Sequence, residues 1–508
     1  MPAGVLPWYR ETSIPGAEMQ MTWKYAPIVL AACIPTMAPA GPLTDILVDS
    51  VSNHGAITWE EGYDEGGVEV LDEVVLRLHD GRRIDIESLE LDRDGRQLSL
   101  LARNVRQNPD GTILLLSAER IAFTGARAHL DAMWAPDSLA NACVLAGSSA
   151  TVKIEDIGFM VAAPEGSLDD DSRVRIAGFS GGQVVRGNLD SCSVQTDVTI
   201  EDYSARLGDG SSSEAGSFVV STLFPGSISS VAADPDQPVS VTARIEDASS
   251  LIYGGATAWA IDKGSAQAKF TAMSLVPALT EMLRERGQDW SAPRLMRLWN
   301  SLRSAEGALA YDIDSMTVRS ANVLPPGSVR RIAEAGLTTV LLSGEGGGSV
   351  SDGDLDLDLG LQATGLIRSR LVADLDMRSY PEGAILSAAE GRAFVNMIPP
   401  VGVSSIVYEQ TDDGFTEAFA SIRGLPVSVA ISQQREKRSK MNSQAAAVIR
   451  QVATDIATFI TISERRPPAR LSLSVIDQLD LREAFIVSSR APGEISTIFD
   501  YSIDSAAQ

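Results

Sequence analysis

Three copies of one acidic pattern are the first candidates for chemistry. TVKIEDIGF at 151–159, DVTIEDYSA at 197–205 and TARIEDASS at 242–250 each place Glu-Asp directly after an isoleucine. Glu155-Asp156, Glu201-Asp202 and Glu246-Asp247 offer carboxylates for a divalent cation or for acid–base work. A calcium site needs several oxygens converging at about 2.3–2.6 Å. Neighbouring side chains on an extended chain point to opposite faces, so a Glu-Asp pair does not converge by itself. The same stretches carry a second signal. Val152 and Ile154 are followed by Ile157 and Phe159, where strict alternation would place the next apolar residue at 156. Val198, Ile200, Tyr203 and Ala205 repeat the slip, as do Ala243, Ile245 and Ala248. It recurs without the triplet at Ile84, Ile86, Leu89, Leu91, at Leu116, Ala118, Ile121, Phe123 and at Tyr311, Ile313, Met316, Val318. A β-bulge, one extra residue in a strand, accounts for the slip and puts the polar pair at the bulge. The triplets therefore read as architecture, a loose repeat of several strands per unit over 140–255. A strand end followed by a new strand is the structural alternative, and calcium the functional one.

The remaining candidates for catalysis fail on context. Gly178-Phe179-Ser180-Gly181-Gly182 fits G-x-S-x-G, but a hydrolase elbow needs a helix after the serine and a histidine later in the chain. GGQVVRG follows, and His54, His79 and His129 all precede Ser180. The three histidines have no metal-ligand spacing, and His79, just before a turn, reads as exposed. SGEGGGSVSDG at 343–353 is glycine-rich but leads into a strand, so it reads as a flexible loop rather than a phosphate cradle. Asp354, Asp356 and Asp358 alternate with Leu355, Leu357 and Leu359, the signature of a strand with one solvated acidic face. The expectation is a non-enzyme without a cofactor.

The elements that would carry these residues are mostly strands. Between 67 and 124, β-rich runs are separated by Asp80-Gly81, Asp94-Gly95 and Asp110-Gly111, and Asp-Gly supplies the positive φ of tight hairpins. Residues 273–305 switch to helical spacing: Leu275, Leu279, Met282 and Leu283, then Leu295, Leu298, Trp299 and Leu302. A short helix follows at 327–335. Strands resume at 337, with others at 365–377, 402–410 and 415–422. A long helix at 437–463 lines up Met441, Ala445, Val448, Val452, Ile456 and Phe459, and LSLSV and EISTIFDYSID return to strand. The fold class is mainly β with inserted helices: antiparallel meanders forming curved or elongated sheets, with amphipathic helices packed on them. The domain reading is an N-terminal β-rich domain at 41–270, a helical insert at 271–336 and a C-terminal β domain at 337–508.

Composition narrows the setting. A net charge of −25 argues against nucleic acid and against adhesion to anionic lipid, both of which need clustered Lys and Arg. MTWKYAPIVLAACIPTMAPA, from Met21, has the positive start, apolar stretch and A-x-A ending of a secretory signal, so residues 1–20 precede the true start and 21–40 form a signal peptide. The apolar stretch is too short and too interrupted by proline for a membrane span. Leu30-Ala31-Ala32-Cys33 gives a competing lipoprotein reading, with lipid on Cys33. Cys143 and Cys192 are left as a pair, in similar places in adjacent repeats, for a single disulfide in an oxidising compartment, with two buried free thiols as the alternative.

The export signal, strand runs such as VVLRLHDGRRIDIESLELD and LDLDLGLQATGLIRSRLVADLDM, and helices set between strand blocks resemble the exported β-rich envelope proteins of the AsmA and TamB-like group. That resemblance implies curved sheets with an apolar inner face and a role in lipid handling or envelope assembly. Two functions follow as expectations. One is a non-catalytic periplasmic or envelope protein holding an acyl chain or another apolar ligand, with Leu279, Leu295, Leu298, Val448, Val452 and Ile456 lining or closing the groove. The other is a structural or partner-binding scaffold among envelope proteins, with no ligand.

Overall fold

The computed structural model describes residues 41–427 except 53, 80, 108–112, 135–141, 162–171, 209, 253–256, 285–290, 321–325 and 390–398, together with 429, 432–433, 458–459, 469–475 and 499–505. The chain divides into unit 1, Met1–Leu139 with Ala150–Phe159, and unit 2, Ala140–Ser149 with Met160–Gln508. Both are mainly antiparallel β with inserted helices.

Unit 1 begins with α1 (Pro42–Val51), then β1 (Gly55–Thr58), β2 (Glu61–Glu65), β3 (Val68–Leu78), β4 (Arg83–Asp94), β5 (Gln97–Gln107), β6 (Ile113–Ala126) and α2 (Arg127–Trp134). It also takes in residues 150–159 of β7 (Ser148–Val161). β1 and β2 pair with successive parts of β3, and β3 to β6 form a meander. Gly81 and Gly95 take positive φ at two of the expected Asp-Gly turns, and the third lies outside the described residues. One face of this meander is a dense core. Val74, Leu76, Ile84, Ile86, Leu89 and Leu91 are fully buried, as are Leu47 and Val51, four apart on α1. A Leu or Ile buried so completely contributes about 1.5–3 kcal/mol.

His129 on α2 is a misfit in that core. It is 3% exposed, and neither ring nitrogen has a hydrogen-bond partner. Burial lowers its pKa from the ordinary 6.5. The unfolded chain therefore binds a proton near pH 6.5 that the folded chain resists. The associated stability is complete above that pH and is lost as pH falls through the folded value. His129→Leu should remove this dependence and leave the variant more stable than the parent by up to about 2 kcal/mol at pH 5. Melting curves between pH 8 and pH 5 test it: parallel curves for parent and variant would refute the assignment.

Unit 2 holds β8 (Ser172–Gly187), β9 (Cys192–Arg206), β10 (Ser212–Pro225), α3 (Ile228–Ala233), β11 (Pro238–Ile252), β12 (Thr257–Thr271), α4 (Ala272–Arg284), α5 (Ala292–Leu302), β13 (Gly307–Ser320), α6 (Pro326–Glu334), β14 (Thr339–Ser351), β15 (Asp354–Ala363), β16 (Ile367–Met377), α7 (Glu382–Ala389), β17 (Val401–Asp412), α8 (Phe415–Arg423), β18 (Ala469–Val475) and β19 (Phe499–Ser505). Each strand from β8 to β19 pairs antiparallel with the next. Residues 271–336, read as a helical insert, contain α4, α5 and α6 but also β13.

Outside β13 the repeated slip has a different cause from the expected inserted residue. Glu73, Asn104, Asp156, Asp202 and Asp247 all have φ near +50°, in β3, β5, β7, β9 and β11. These are every second strand. Where pairing is resolved, the ladder misses one pair at this level, or two between β10 and β11, and resumes in the same register: Ile176 faces Tyr203 and Gly178 faces Glu201, with Asp202 unpaired between them. The apolar residues of paired strands slip together, so both stay on one face. Asp and Asn tolerate the left-handed region better than other residues with a Cβ. The Ile-Glu-Asp triplet thus marks one hairpin, two strands, per repeat. A true bulge exists in β13, where register shifts between Ile313 and Met316.

Two further expectations are corrected. Residues 415–422 form α8, not a strand. Ala418, Ala420 and Ile422 alternate as a strand would, but Phe415, Ala418, Phe419 and Ile422 keep helical spacing, and Gly424, in the left-handed region, closes the end by donating its N–H to Ala420 O at 2.8 Å. The glycine-rich 343–353 stretch is not a loop, because most of it lies in β14. There the Tyr311 ring approaches Gly344 and Gly346, and its hydroxyl donates to Gly360 O at 3.1 Å. Glycine in a strand marks such close approach. Of the helix expected at 437–463, only 458–459 are described, and they are helical.

Candidate functional site

The pairing registers of unit 2 assemble apolar residues from many strands into rows on one face. Phe179, Ile200, Phe218, Ile245, Gly264, Ile313, Gly344 and Leu361 form one such row by successive pairing. Val198, Val220, Ala243, Ala266, Tyr311, Gly346, Leu359, Leu371 and Tyr408 form the next. The opposite face is polar: Thr199, Arg244, Ser265, Asp312, Glu345 and Arg370 share one row.

The apolar rows are not sealed as they are in unit 1. Phe179, Ile200, Phe218, Ile245 and Ile313 are only half-buried. Leu309 and Leu361, on the same face, are 49% and 51% exposed. Connectivity explains this. α3, α4, α5 and α7 lie in the connections at one end of the strands, and α6 and α8 in those at the other. They pack largely on each other: α4 on α5, α5 on α7, α6 on α8. α3 and α4 do close the row nearest their own end, where Val231, Val239 and Ala272 are buried with Phe224 and Phe270 against them. At β17, Phe459 is buried and its ring lies 6.0 Å from that of Tyr408. Between these covers the face is half-exposed.

The residues singled out from the sequence fall in several places. Leu295 is 50% exposed and Leu298 half-buried, while the same helix, α5, buries Arg294 and Met296. Met296 packs with Tyr380 and Ala384, and the Trp299 indole N–H donates to Arg378 O at 3.0 Å. α5 is thus docked on α7 and the residues before it. Leu279 lies in α4. Val448, Val452, Ile456 and Cys33 lie outside the described residues. The strand residues of the apolar rows were missed. Their alternation was visible, but that they share rows across eight strands depends on register.

Cys143 and Cys192 are disulfide-bonded, with Cα atoms 5.4 Å apart. Both are buried. Ala142 N–H donates to Gly226 O at 2.8 Å, Gly226 N–H to Cys192 O at 2.9 Å, and Cys192 N–H to Ser230 Oγ at 2.9 Å. Gly226 has no room for a Cβ, which would overlap Cys192 Sγ.

The acid and glycine motifs lie within strands. Gly178 to Gly182 all lie inside β8. Asp358 accepts from Arg370 Nε at 2.7 Å, and the guanidinium holds its carboxyl below the usual carboxylate range. Among the described residues no three metal-ligating side chains cluster. A cleft of about 540 Å³ on the polar side of unit 1 is lined by Trp59, Arg83, Asp85, Glu87, Asn104 and Arg106. Within it Arg83 pairs with Asp85 at 2.7 Å. No protein-family model matches the chain, and no curated protein matches it in sequence. The geometry alone carries the functional reading.

Proposed function

We propose that this protein is a non-catalytic, exported envelope protein of the AsmA and TamB-like kind that holds an acyl chain or another apolar ligand on the apolar face of unit 2. The observation that carries the reading is the contrast in cover: the apolar rows are buried across β3 to β5 in unit 1 and half-exposed across the middle of unit 2. An exposed apolar patch of this kind marks a ligand or interaction surface. The signal-like 21–40 segment and the Cys143–Cys192 bridge support an oxidising, exported setting.

Native mass spectrometry of the protein purified from its host's envelope tests the ligand. A non-covalent adduct of lipid mass is expected. In the double variant Leu309→Lys, Leu361→Lys the adduct should fall at least tenfold. Both leucines are half-exposed, so the fold should tolerate the change, and far-UV circular dichroism checks that it does. A bare polypeptide in the parent would favour the scaffold reading, in which the same face binds a protein partner or none.

A further inference from the structure

The start of α1 is built around a buried carboxylate. Glu69, on β3, is 6% exposed. It accepts hydrogen bonds from Leu43 N–H at 2.9 Å, Thr44 N–H at 2.8 Å and the Thr44 hydroxyl at 2.8 Å. The helix dipole favours a negative charge there. Among the described residues, however, no cation pairs with Glu69. A buried charge without a counter-charge is costly. Gly41 stands on the remaining side, and a Cβ there would overlap the Glu69 carboxyl group. The Gly41 nitrogen hangs from the same Cα, so bond geometry holds it within about 5 Å of that carboxylate. In the sequence, Gly41 follows Ala38-Pro39-Ala40, the small-residue pattern of signal cleavage.

We propose that hydrolysis of the Ala40–Gly41 bond supplies the missing cation: the new α-ammonium of Gly41 pairs with Glu69 and fastens α1 to β3. Water adds across the peptide bond. The carboxylate leaves on Ala40 with the leader, and the ammonium stays on Gly41. The residue that begins the mature chain is then also the one whose Cβ would overlap the Glu69 carboxyl group. This inference rests on the export reading given under Proposed function.

The test expresses the full-length precursor in an exporting host, alone and with one serine inserted after Ala40. Intact mass should show the parent starting at Gly41 and the insertion variant starting one residue earlier. The parent should melt about 2–4 °C above the insertion variant. With Glu69→Gln in both backgrounds that gap should close, as a pairwise coupling requires. A mass starting at Met21, or at a lipid-bearing Cys33, would overturn the cleavage and with it the signal-peptide reading. Cleavage at Gly41 with equal melting temperatures, or a gap that survives Glu69→Gln, would overturn the pairing while leaving export intact.

Discussion

Reducing the Cys143–Cys192 bridge is expected to destabilise unit 2 by about 4 kcal/mol. The cysteines are 49 residues apart in sequence, and in the chain-entropy model a loop of about 50 residues released in the unfolded state accounts for that amount. The native side of the balance changes less. The Ala142–Gly226 and Gly226–Cys192 backbone hydrogen bonds and the Cys192 N–H donated to Ser230 Oγ hold both cysteine segments, and reduction leaves them in place. The loss should therefore come through the unfolded state. Urea unfolding with and without a thiol-free reductant checks it. The midpoint should fall, and regions remote from the bridge should keep their circular dichroism below the transition. An unchanged midpoint would mean that the bridge adds nothing beyond the packing around it.

The second large effect belongs to the glycines of β14. A Cβ on Gly346 would stand 2.6 Å from Asp358 O and 2.8 Å from Tyr311 Cε1. Real Cβ atoms do not approach so closely, so Gly346→Val must displace either β15 or the Tyr311 ring, whose hydroxyl bonds Gly360 O. Overpacking of this type costs about 3 kcal/mol or more when backbone must move. Gly182, in β8, is the matched control: it is also in a strand, and nothing lies within 4 Å of its Cβ position. Gly182→Val should be neutral or stabilise by about 0.5 kcal/mol, because valine favours the extended chain. Chemical denaturation of the two variants decides the matter. Equal losses would show that strand glycines here act through backbone entropy rather than close approach.

These two glycine segments show where reading the sequence reached and where it stopped. In neither does a helix follow: β8 runs on past Ser180, and β15 follows the 343–353 run. Placing the second in a loop failed because composition reports only what glycine permits. The neighbour that requires it, Tyr311, is more than thirty residues upstream. The 415–422 segment failed for another reason. Ala418, Ala420 and Ile422 mimic the strand period inside a segment whose Phe415, Ala418, Phe419 and Ile422 keep the helix period, and the capping glycine at 424 was the signal that could have separated them. The disulfide was legible because, with Cys33 read as part of a signal or a lipidation box, Cys143 and Cys192 were left as a pair.

The sequence by itself determined the strand-rich class, the hairpin turns at Gly81 and Gly95, the two helices at 272–302, and the shared slip of the apolar alternation. All of these are local, carried by side chains a few residues apart. It also placed the acidic triplets in architecture, since adjacent carboxylates on a strand diverge. Only the tertiary structure decided what the slip is: a left-handed residue in every second strand from β3 to β11, with register kept, and an inserted residue in β13. It alone decided that the apolar face of unit 2 is half-exposed, that α5 spends its buried face on α7, and that Glu69 sits buried at the start of α1. Each of these depends on which distant segments meet, and pairing register and helix docking are set by the sum of many contacts that no short stretch of sequence contains.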